Sequence, residues 1–368
     1  MSSKKINIAL FSPSKNPYSE TFIQAHKKYL KDNVFYYYGT GQNIRLEGYG
    51  NLLGSFSTIL LSLQKRILGK PNHYLWSKPL LTSLKKQKID SVLIEYGTHA
   101  YRLLPVLSKL ELPIVVHFHG YDASMRDVIK NCNNYKEVFE LTTNVIAVSL
   151  QMKEKLFKLG CSQKKIIYTP CAPNDKYFKV NPKYNKRQFV AIGRFVDKKA
   201  PYLTILAFKK IVKKHPDVIL LMAGDGVLLD SCKNLVKQFH LEKNINFIGV
   251  INSDEVINIF SESIAFVQHS ITADNGDMEG TPVSVLEASA AGLPVISTIH
   301  AGIPNVIIHN KTGFLCEEHD VDAMSNNMLK ILENVELAKE MGAEGKKHIQ
   351  QNFNMNRHIN VIQAALES

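Results

Sequence analysis

The chain has 368 residues, of which 45% are hydrophobic and 21% are charged, and its formal net charge is +12. This composition is typical of a folded globular protein and excludes an intrinsically disordered chain, while the length predicts two domains. No apolar run reaches the roughly 20 residues of a membrane-spanning helix, and the N-terminus reads as a first strand rather than a signal peptide. Five scattered cysteines without C-x-x-C spacing predict reduced thiols, no structural zinc and a cytoplasmic protein.

The positive charge lies in the first half of the chain. Residues 1–175 contain 24 Lys and Arg against 12 Asp and Glu, whereas residues 176–368 contain 21 of each kind. This asymmetry predicts that the first half meets an anionic partner, which would be a membrane surface, a phosphorylated substrate or a nucleic acid. A basic surface that only keeps the protein soluble explains the charge equally well.

Short apolar runs in the first half are predicted to be the strands of one sheet. They are Ile6–Phe11, Ser91–Glu95, Ile114–Phe118, Asn144–Ser149 and Lys165–Thr169. A helical segment at about Tyr101–Leu110 connects the second run to the third, which predicts a βαβ unit and therefore a parallel sheet.

Polar residues follow three of these strands. Glu20 lies after the first strand, Glu95 ends the second, and His119 and Asp122 follow the third. Ligands of open α/β sheets bind at the carboxyl ends of the strands, so these residues predict a binding site at that edge. Glu20 can equally stabilise the helix that begins beside it, by interacting with the positive end of the helix dipole.

A basic amphipathic helix is predicted within residues 52–70. Its apolar residues follow a helical period, and Lys65, Arg66 and Lys70 lie near its end. Such a helix can lie on a membrane interface, and it can equally cover a core.

The second half repeats the alternation of strands and helices. Residues 171–187 are polar, contain proline and have no period, which predicts a linker before it. The predicted boundaries are an N-terminal domain at 1–172, a linker at 173–187, a second domain at 188–350 and a C-terminal helix at 351–368. Polar residues again follow the predicted strands, and they include Arg194, Lys199, Asp225 and His269.

The segment EGTPVSVLEASAAGLPVISTIHAGIP, from Glu279 to Pro304, carries the most specific pattern. Thr281 is predicted as the N-cap of a helix, with Pro282 in the first helical position and Gly292 at the end. Gly280 lets the chain approach a ligand, and a helix N-terminus attracts anions. Glu287 lies five residues after Pro282, roughly 7 Å along the helix axis, so a phosphate at the helix tip and a sugar diol beside the carboxylate fit this spacing.

A diphosphate carries about two negative charges, and a helix N-terminus supplies only about half a positive charge. Arg194 and Lys199 can supply the rest and stabilise a leaving diphosphate without a metal. Asp274 and Asp277 have no third ligand at a suitable spacing, so no metal site is predicted. No P-loop is present, and the single G-x-G at Gly224 lacks the third glycine of a dinucleotide fingerprint.

The segment EGTPVSVLEA, from Glu279 to Ala288, closely resembles the donor-site motif of the retaining glycosyltransferases of family 4. Gly193 and Arg194 with Lys199 resemble the phosphate-binding loop of that family. The runs SETFI from Ser19, IEYG from Ile94 and HFHGYDAS from His117 resemble more narrowly the bacterial enzymes of exopolysaccharide, capsule and colanic-acid assembly.

The resemblance implies the GT-B fold, in which two Rossmann-like, doubly wound α/β domains face each other across a cleft. C-terminal helices are expected to cross back to the first domain. The resemblance also implies a retaining, metal-independent enzyme with no cofactor. It would move a hexose-type sugar from a nucleotide-diphosphate sugar, such as a UDP-sugar, to a lipid-linked or glycan acceptor.

Roles for individual residues follow from the same resemblance. Arg194 and Lys199 would neutralise the diphosphate, and Glu287 would bind the ribose hydroxyls. Glu279 would hold the donor sugar together with the backbone of Gly280, Thr281 and Pro282. His119 would face that sugar, so His119 and Glu279 are the catalytic candidates. Glu20, Glu95 and Asp122 are weaker candidates for acceptor contacts.

The basic first half fits a peripheral position on the cytoplasmic face of the cell membrane, where a lipid-linked acceptor lies. Two alternatives remain open at this stage. One is a nucleotide-sugar epimerase of the same fold. The other is a nucleic-acid-binding protein, which only the charge suggests, since no RNA-binding motif accompanies it.

Overall fold

The structure is a computed structural model that describes residues 5–15, 21–52 and 55–368, with the side chains of residues 55–58 left aside. The chain divides into two compact units. Unit 1 comprises the described residues up to Val148, together with Met152–Thr169 and His358–Ser368, and unit 2 comprises Ser149–Gln151 and Pro170–Arg357. The predicted linker, residues 173–187, therefore lies within unit 2, and the end of the chain returns to unit 1.

Unit 1 is built on one mainly parallel sheet. Its strands are β1 (Asn7–Ser12), β2 (Asn33–Tyr38), β3 (Arg45–Leu46), β4 (Gly50–Asn51), β5 (Ser91–Glu95), β6 (Ile114–Phe118), β7 (Asn144–Ala147) and β8 (Ile166–Tyr168). Among the described residues their order is β4-β3-β2-β1-β5-β6-β7-β8, and the pairs β2–β3 and β3–β4 are antiparallel. Ile8, Leu10 and their neighbours in β1 are buried on both faces, as the continuous apolar run predicts for a parallel strand.

Helices cover the sheet of unit 1. They are α1 (Thr21–Tyr29), α2 (Ser55–Ile67), α3 (Tyr74–Lys86), α4 (Gly97–Leu107), α5 (Tyr121–Ser124), α6 (Arg126–Asn131), α7 (Lys136–Leu141) and α8 (Leu150–Lys158). The described residues contain no helix that is both long enough and apolar enough to span a bilayer.

Unit 2 has the doubly wound strand order of a dinucleotide-type fold. Its strands are β9 (Gln188–Ile192), β10 (Ile219–Ala223), β11 (Ile245–Gly249), β12 (Ala265–Gln268), β13 (Val295–Thr298) and β14 (Gly313–Cys316), and its sheet order is β11-β10-β9-β12-β13-β14. Its helices are α9 (Pro201–Val212), α10 (Leu229–Gln238), α11 (Ser253–Glu262), α12 (Val283–Ala291), α13 (Ile303–Val306), α14 (Val321–Glu333) and α15 (Val335–Asn352). The last helix, α16 (Met355–Glu367), begins in unit 2, and its residues from His358 onward belong to unit 1. The order reverses between β9 and β12, and ligands bind at such a switch point.

The start of one helix differs from the prediction by one residue. Helix α12 begins at Val283 with Pro282 as its N-cap and no side-chain cap, so the prediction of Thr281 as the cap is wrong. Helix α11 is capped by Asn252, whose side chain accepts from the backbone of Glu255. Gly292 does end α12, with a φ of 92°. Helix α15 passes close to the end of α12, since a Cβ on Gly342 of α15 would lie 1.9 Å from the Gly292 carbonyl oxygen.

Candidate functional site

The predicted donor residues of unit 2 gather at the carboxyl ends of β9 and β12. Arg194 and Lys199 follow β9 and line a small pocket of about 30 Å³ together with Gln268, the last residue of β12. Gly193 lets the Lys199 side chain lie across this loop, because a Cβ at Gly193 would come within 2.7 Å of the lysine Cδ. The pocket therefore lies at the switch point of the sheet.

Lys199 forms the centre of a polar group at this pocket. Its Nζ lies 3.2 Å from Glu279 Oε1 and donates to Gln268 Oε1 over 3.2 Å. The Gln268 oxygen also accepts from Ser284 Oγ in the first turn of α12, over 3.2 Å. These contacts join the loop after β9, the end of β12 and the start of α12 into one polar surface.

The Lys199–Glu279 pair is charged in spite of its burial. Burial raises the pKa of Glu279, but the nearby Lys199 and Lys198 more than offset this and hold it at about 2. Burial lowers the pKa of Lys199, and Glu279 opposes that shift. Removal of one partner from such a buried ion pair strongly destabilises the folded protein, because the remaining charge is buried without compensation.

The backbone of Glu279 is held by residues that the sequence reasoning did not identify. Its N–H donates to His300 Nε2 over 3.1 Å, and His300 Nδ1 in turn lies 2.6 Å from Glu318 Oε1. His300 must therefore donate from Nδ1 and accept at Nε2. Gly302 completes this support, because its N–H donates to the Gly280 carbonyl over 2.9 Å and a side chain there would clash with Gly280. The run HAGIP, which follows β13 and contains His300 and Gly302, was the sequence signal that could have indicated these two residues.

Glu287 lies on α12 beside the segment predicted as a linker. Its carboxylate accepts a hydrogen bond from Tyr177, which belongs to the turn Asp175–Lys179. Burial raises the pKa of Glu287 to about 7, against the lowering by Tyr177 and by the nearby Lys176. The Glu287 side chain is half-buried. With a pKa of about 7, its carboxyl group is partly protonated at neutral pH. The sequence did not predict the turn that contains Tyr177, because residues 173–187 show no hydrophobic period.

Other polar strand ends in unit 2 have structural partners. Lys198 is buried and donates to Asp277 Oδ1 over 3.0 Å and to the carbonyl of Met278 over 3.1 Å, which fastens the loop before Glu279. His269 is buried and accepts from the backbone N–H of His319 over 2.9 Å. Burial lowers the pKa of His269 to about 4, so this side chain stays neutral.

In unit 1 the structure brings His119 and Glu95 together. His119 Nε2 lies 2.7 Å from Glu95 Oε2, and the His119 ring contacts Phe22 at 4.2 Å and Tyr96 at 4.7 Å between centroids. Tyr96 has a φ of 73°, a strained conformation for an aromatic residue. Backbone strain of this kind is concentrated at functional sites.

Glu95 and Asp122 have no exposed surface, and their contact with an acceptor stays a prediction. Asp122 accepts from the backbone N–H groups of Gly97, His119 and Gly120 over 2.9, 3.0 and 3.1 Å, and it therefore shapes the loop that carries His119. Glu20 lies outside the described residues.

Three buried residues of unit 1 have the side chains of a metal site. The ligand atoms of His26, Glu95 and His117 all lie within 4.8 Å of one another. However, His26 Nδ1 and Glu95 Oε1 are 2.6 Å apart, which is a hydrogen-bond distance and shorter than the roughly 3.3 Å between two ligands of a tetrahedral zinc ion. The arrangement is that of a hydrogen-bonded group.

Residues 173–348, slightly less than half of the chain, match the family model described as "Glycosyl transferases group 1". WcaL of Escherichia coli (strain K12), whose name connects it with colanic acid biosynthesis, is 28% identical over 262 residues, which are 69% of this chain and 64% of WcaL. The amylovoran biosynthesis glycosyltransferase AmsK of Erwinia amylovora is 28% identical over 66% of this chain and 61% of its own length. The chain thus spans somewhat less than two thirds of these relatives. The predicted resemblance to family 4 and to exopolysaccharide enzymes is confirmed.

Among solved structures, the chain is similar to Alr3699/HepE of Anabaena in complex with UDP-glucose. The TM-score is 0.78 at 13% identity, over 99% of this chain and 100% of the other. This likeness shows the fold and confirms the predicted GT-B architecture. Nothing in these matches favours the epimerase or the nucleic-acid-binding alternative.

Proposed function

We propose that this chain, whose residues 173–348 match the group 1 glycosyl transferases, transfers a hexose-type sugar from a nucleotide-diphosphate sugar to a lipid-linked or glycan acceptor. The observation that carries the proposal is the polar surface of unit 2 at the switch point of its sheet. There Arg194 and Lys199 line one pocket, and Lys199 pairs with Glu279 at the start of the helix that carries Glu287.

The proposed chemistry uses these groups in three ways. Arg194 and Lys199 neutralise the diphosphate, whose negative charge grows as the bond to the sugar breaks. The Glu287 carboxylate accepts hydrogen bonds from the ribose hydroxyls. Glu279, with the backbone of Gly280, Thr281 and Pro282, holds the donor sugar. His119 and Glu279 are the proposed catalytic residues.

UDP-glucose, the ligand named for HepE, is the first donor to examine, and the names of WcaL and AmsK support a product in cell-surface polysaccharide synthesis. We further propose that the reaction retains the configuration of the sugar and needs no metal, and that the enzyme works at the cytoplasmic face of the membrane. Unit 1 is proposed to bind the acceptor.

Helix α2 supports the membrane proposal. Large apolar side chains on one face of this helix and just after it are exposed, among them Ile59 (61%), Leu63 (53%) and Ile67 (79%). Lys65 and Arg66 lie in the last turn of the helix. An exposed apolar face beside basic residues is typical of helices that lie on anionic bilayers.

A hydrolysis screen across nucleotide sugars tests the proposed function. We expect slow release of the nucleotide from one donor, with undiminished rates after treatment with EDTA. We also expect Glu287→Ala to abolish calorimetric binding of that donor, while Glu262→Ala, a surface carboxylate that pairs with Lys183 and Lys186, leaves it unchanged. Equal binding by both variants would refute the assignment of Glu287, and the absence of release from any donor would refute the donor class.

A further inference from the structure

Unit 1 contains a buried group of histidines around one carboxylate, which we name the Glu95 cluster. Its members are Glu95, His26, His117, His119 and His358. They come from four elements, namely α1, β5, the end of β6 and α16. All are buried except His119, whose side chain keeps 6% of its surface exposed. His119 is therefore the member that a ligand can touch.

A chain of hydrogen bonds connects four members of the cluster, and the fifth, His117, lies 3.4 Å from Glu95 Oε2 without a hydrogen bond. Glu95 Oε2 lies 2.7 Å from His119 Nε2, and Glu95 Oε1 lies 2.6 Å from His26 Nδ1. His26 Nε2 lies 2.9 Å from His358 Nε2, and His358 Nδ1 lies 3.1 Å from Thr169 Oγ1. The network thus reaches the last helix, α16, through His358 and ends at Thr169, just after β8.

These distances fix where the protons lie. One proton must lie between the two facing nitrogens of His26 and His358, since two lone pairs would repel. The His partners lower the pKa of Glu95 in spite of the burial that raises it, so Glu95 is an ionised acceptor. His119 then donates from Nε2, and a neutral His119 ring carries its basic lone pair on Nδ1.

Packing holds the same ring in place. The centroid of the His119 ring lies 4.1 Å from that of His117 and 4.2 Å from that of Phe22. Burial lowers the pKa of His117 to about 3, so this neighbour remains neutral and does not compete for Glu95 as a cation. Asp122 fixes the backbone of His119, and Glu95 fixes its side chain.

We propose that Glu95 is a positioning residue for His119, and that His26 and His358 in turn hold Glu95. The inference rests on the proposed function, in which His119 contacts the sugar of the donor. Glu95 selects the tautomer with the proton on Nε2, directs Nδ1 toward a sugar hydroxyl and makes it a stronger hydrogen-bond acceptor. Where a carboxylate orients a metal-bound histidine in the same way, its loss typically costs about 10- to 100-fold in activity, and we expect an effect of similar order here.

The test compares the full-length protein with Glu95→Gln, whose amide cannot accept from both histidines. We expect kcat with the nucleotide sugar to fall at least about tenfold, while KM for the donor changes by less than about threefold. Nitrogen-15 NMR of labelled histidines, with His119 assigned from His119→Gln, should show the Nε2–H tautomer in the native chain and its loss in Glu95→Gln. Glu95→Asp, which keeps the charge, should restore the tautomer and part of kcat.

His99→Gln is the matched control, because His99 is a buried histidine of unit 1 whose ring nitrogens have no hydrogen-bond partner in the part of the chain that the structure describes. It should leave the His119 tautomer unchanged. If Glu95→Gln does not fold, His358→Gln tests the far end of the network and should lower kcat by a smaller factor.

An unchanged His119 tautomer in Glu95→Gln would overturn the proposal, as would a transition metal bound stoichiometrically in the purified protein. If the native chain turns over no nucleotide sugar, the proposed function fails, but the tautomer still decides whether Glu95 positions His119.

Discussion

Glu287 combines a half-buried position with a pKa of about 7, and both follow from the turn that packs against it. A carboxylate that accepts hydrogen bonds from both ribose hydroxyls must be ionised. Because the pKa lies near the physiological range, the protonation state of this one residue should control donor binding. The hydroxyl of Tyr177 is an additional control, since its hydrogen bond lowers the pKa of Glu287.

We therefore predict that affinity for the intact nucleotide sugar falls about tenfold from pH 8 to pH 6, since the ionised fraction of a group with pKa 7 falls by that factor. The intact sugar nucleotide is the suitable ligand, because both of its phosphates are diesters and do not titrate in this range. Tyr177→Phe should move the midpoint to higher pH. Calorimetry across this range measures both effects.

Glu287→Gln is the control for this titration. It should bind weakly with no dependence on pH between 6 and 8. A dependence that persists in Glu287→Gln would assign the effect to another residue.

Single residues were predictable from the sequence where the chemistry is carried by one short motif. Lys199 and Glu279 were expected in one site and are paired at 3.2 Å. Tyr177 and His300 were not expected, because each acts through one contact that long-range packing creates. The burial of Glu95 among three histidines was not predicted, since a strand end looks the same in sequence whether its side chain faces solvent or other side chains.

At the scale of elements, the exposure of α2 bears on a choice that periodicity leaves open. The period of its apolar residues predicts a helix, but it does not tell whether the apolar face covers a core. Ile59, Leu60, Leu63 and Ile67 fall within about a third of the helix circumference and are all exposed. The apolar face is thus available to a bilayer.

We predict that the protein sediments with vesicles that contain about one third anionic lipid at low salt, and that a triple variant of Leu60, Leu63 and Ile67 to Ser loses at least tenfold in affinity. Burial of each such side chain in an interface contributes on the order of 1 kcal/mol, and each nearby Lys or Arg contributes about as much. Cosedimentation across a salt series measures both contributions.

Val227→Ser with Val250→Ser is the matched control for α2, because these residues are exposed apolar side chains of unit 2. It should bind as the native chain does. A native chain that stays in the supernatant at low salt would disprove the membrane proposal. An equal loss of vesicle affinity in both variants would show that α2 is not the element that binds the membrane.

At the scale of the whole molecule, the two parallel sheets were predictable because each is made of continuous apolar runs bounded by polar strand ends. The antiparallel edge of β3 and β4 was not, since each of these strands has only two residues and no period. The return of His358–Ser368 to unit 1 was expected from the resemblance alone. Its physical basis is the His358 hydrogen bond to His26, a contact between residues 332 positions apart.

The distribution of neutral buried histidines predicts that the two units respond differently to acid. Burial lowers the pKa of His99 and His117 in unit 1 to about 3, and that of His269 in unit 2 to about 4, from the ordinary 6.5. Between pH 6.5 and these values the unfolded chain binds protons that the folded chain does not, so the free energy of unfolding falls as the pH falls. The slope is on the order of 1 kcal/mol per pH unit for each histidine.

Unit 1 should therefore lose stability more steeply than unit 2 between pH 6.5 and 5. Burial also lowers the pKa of His358 in unit 1, whereas Glu287 in unit 2, with its pKa raised to about 7, keeps a proton in the folded chain and opposes the effect of His269. Native-state hydrogen exchange measures this directly, if peptides from β5 and β7 are compared with peptides from β10 and β12 at several pH values. His99→Met should reduce the slope of unit 1 by one proton and leave unit 2 unchanged. Equal slopes in the two units, or a slope that His99→Met does not alter, would show that these histidines are not held neutral by burial.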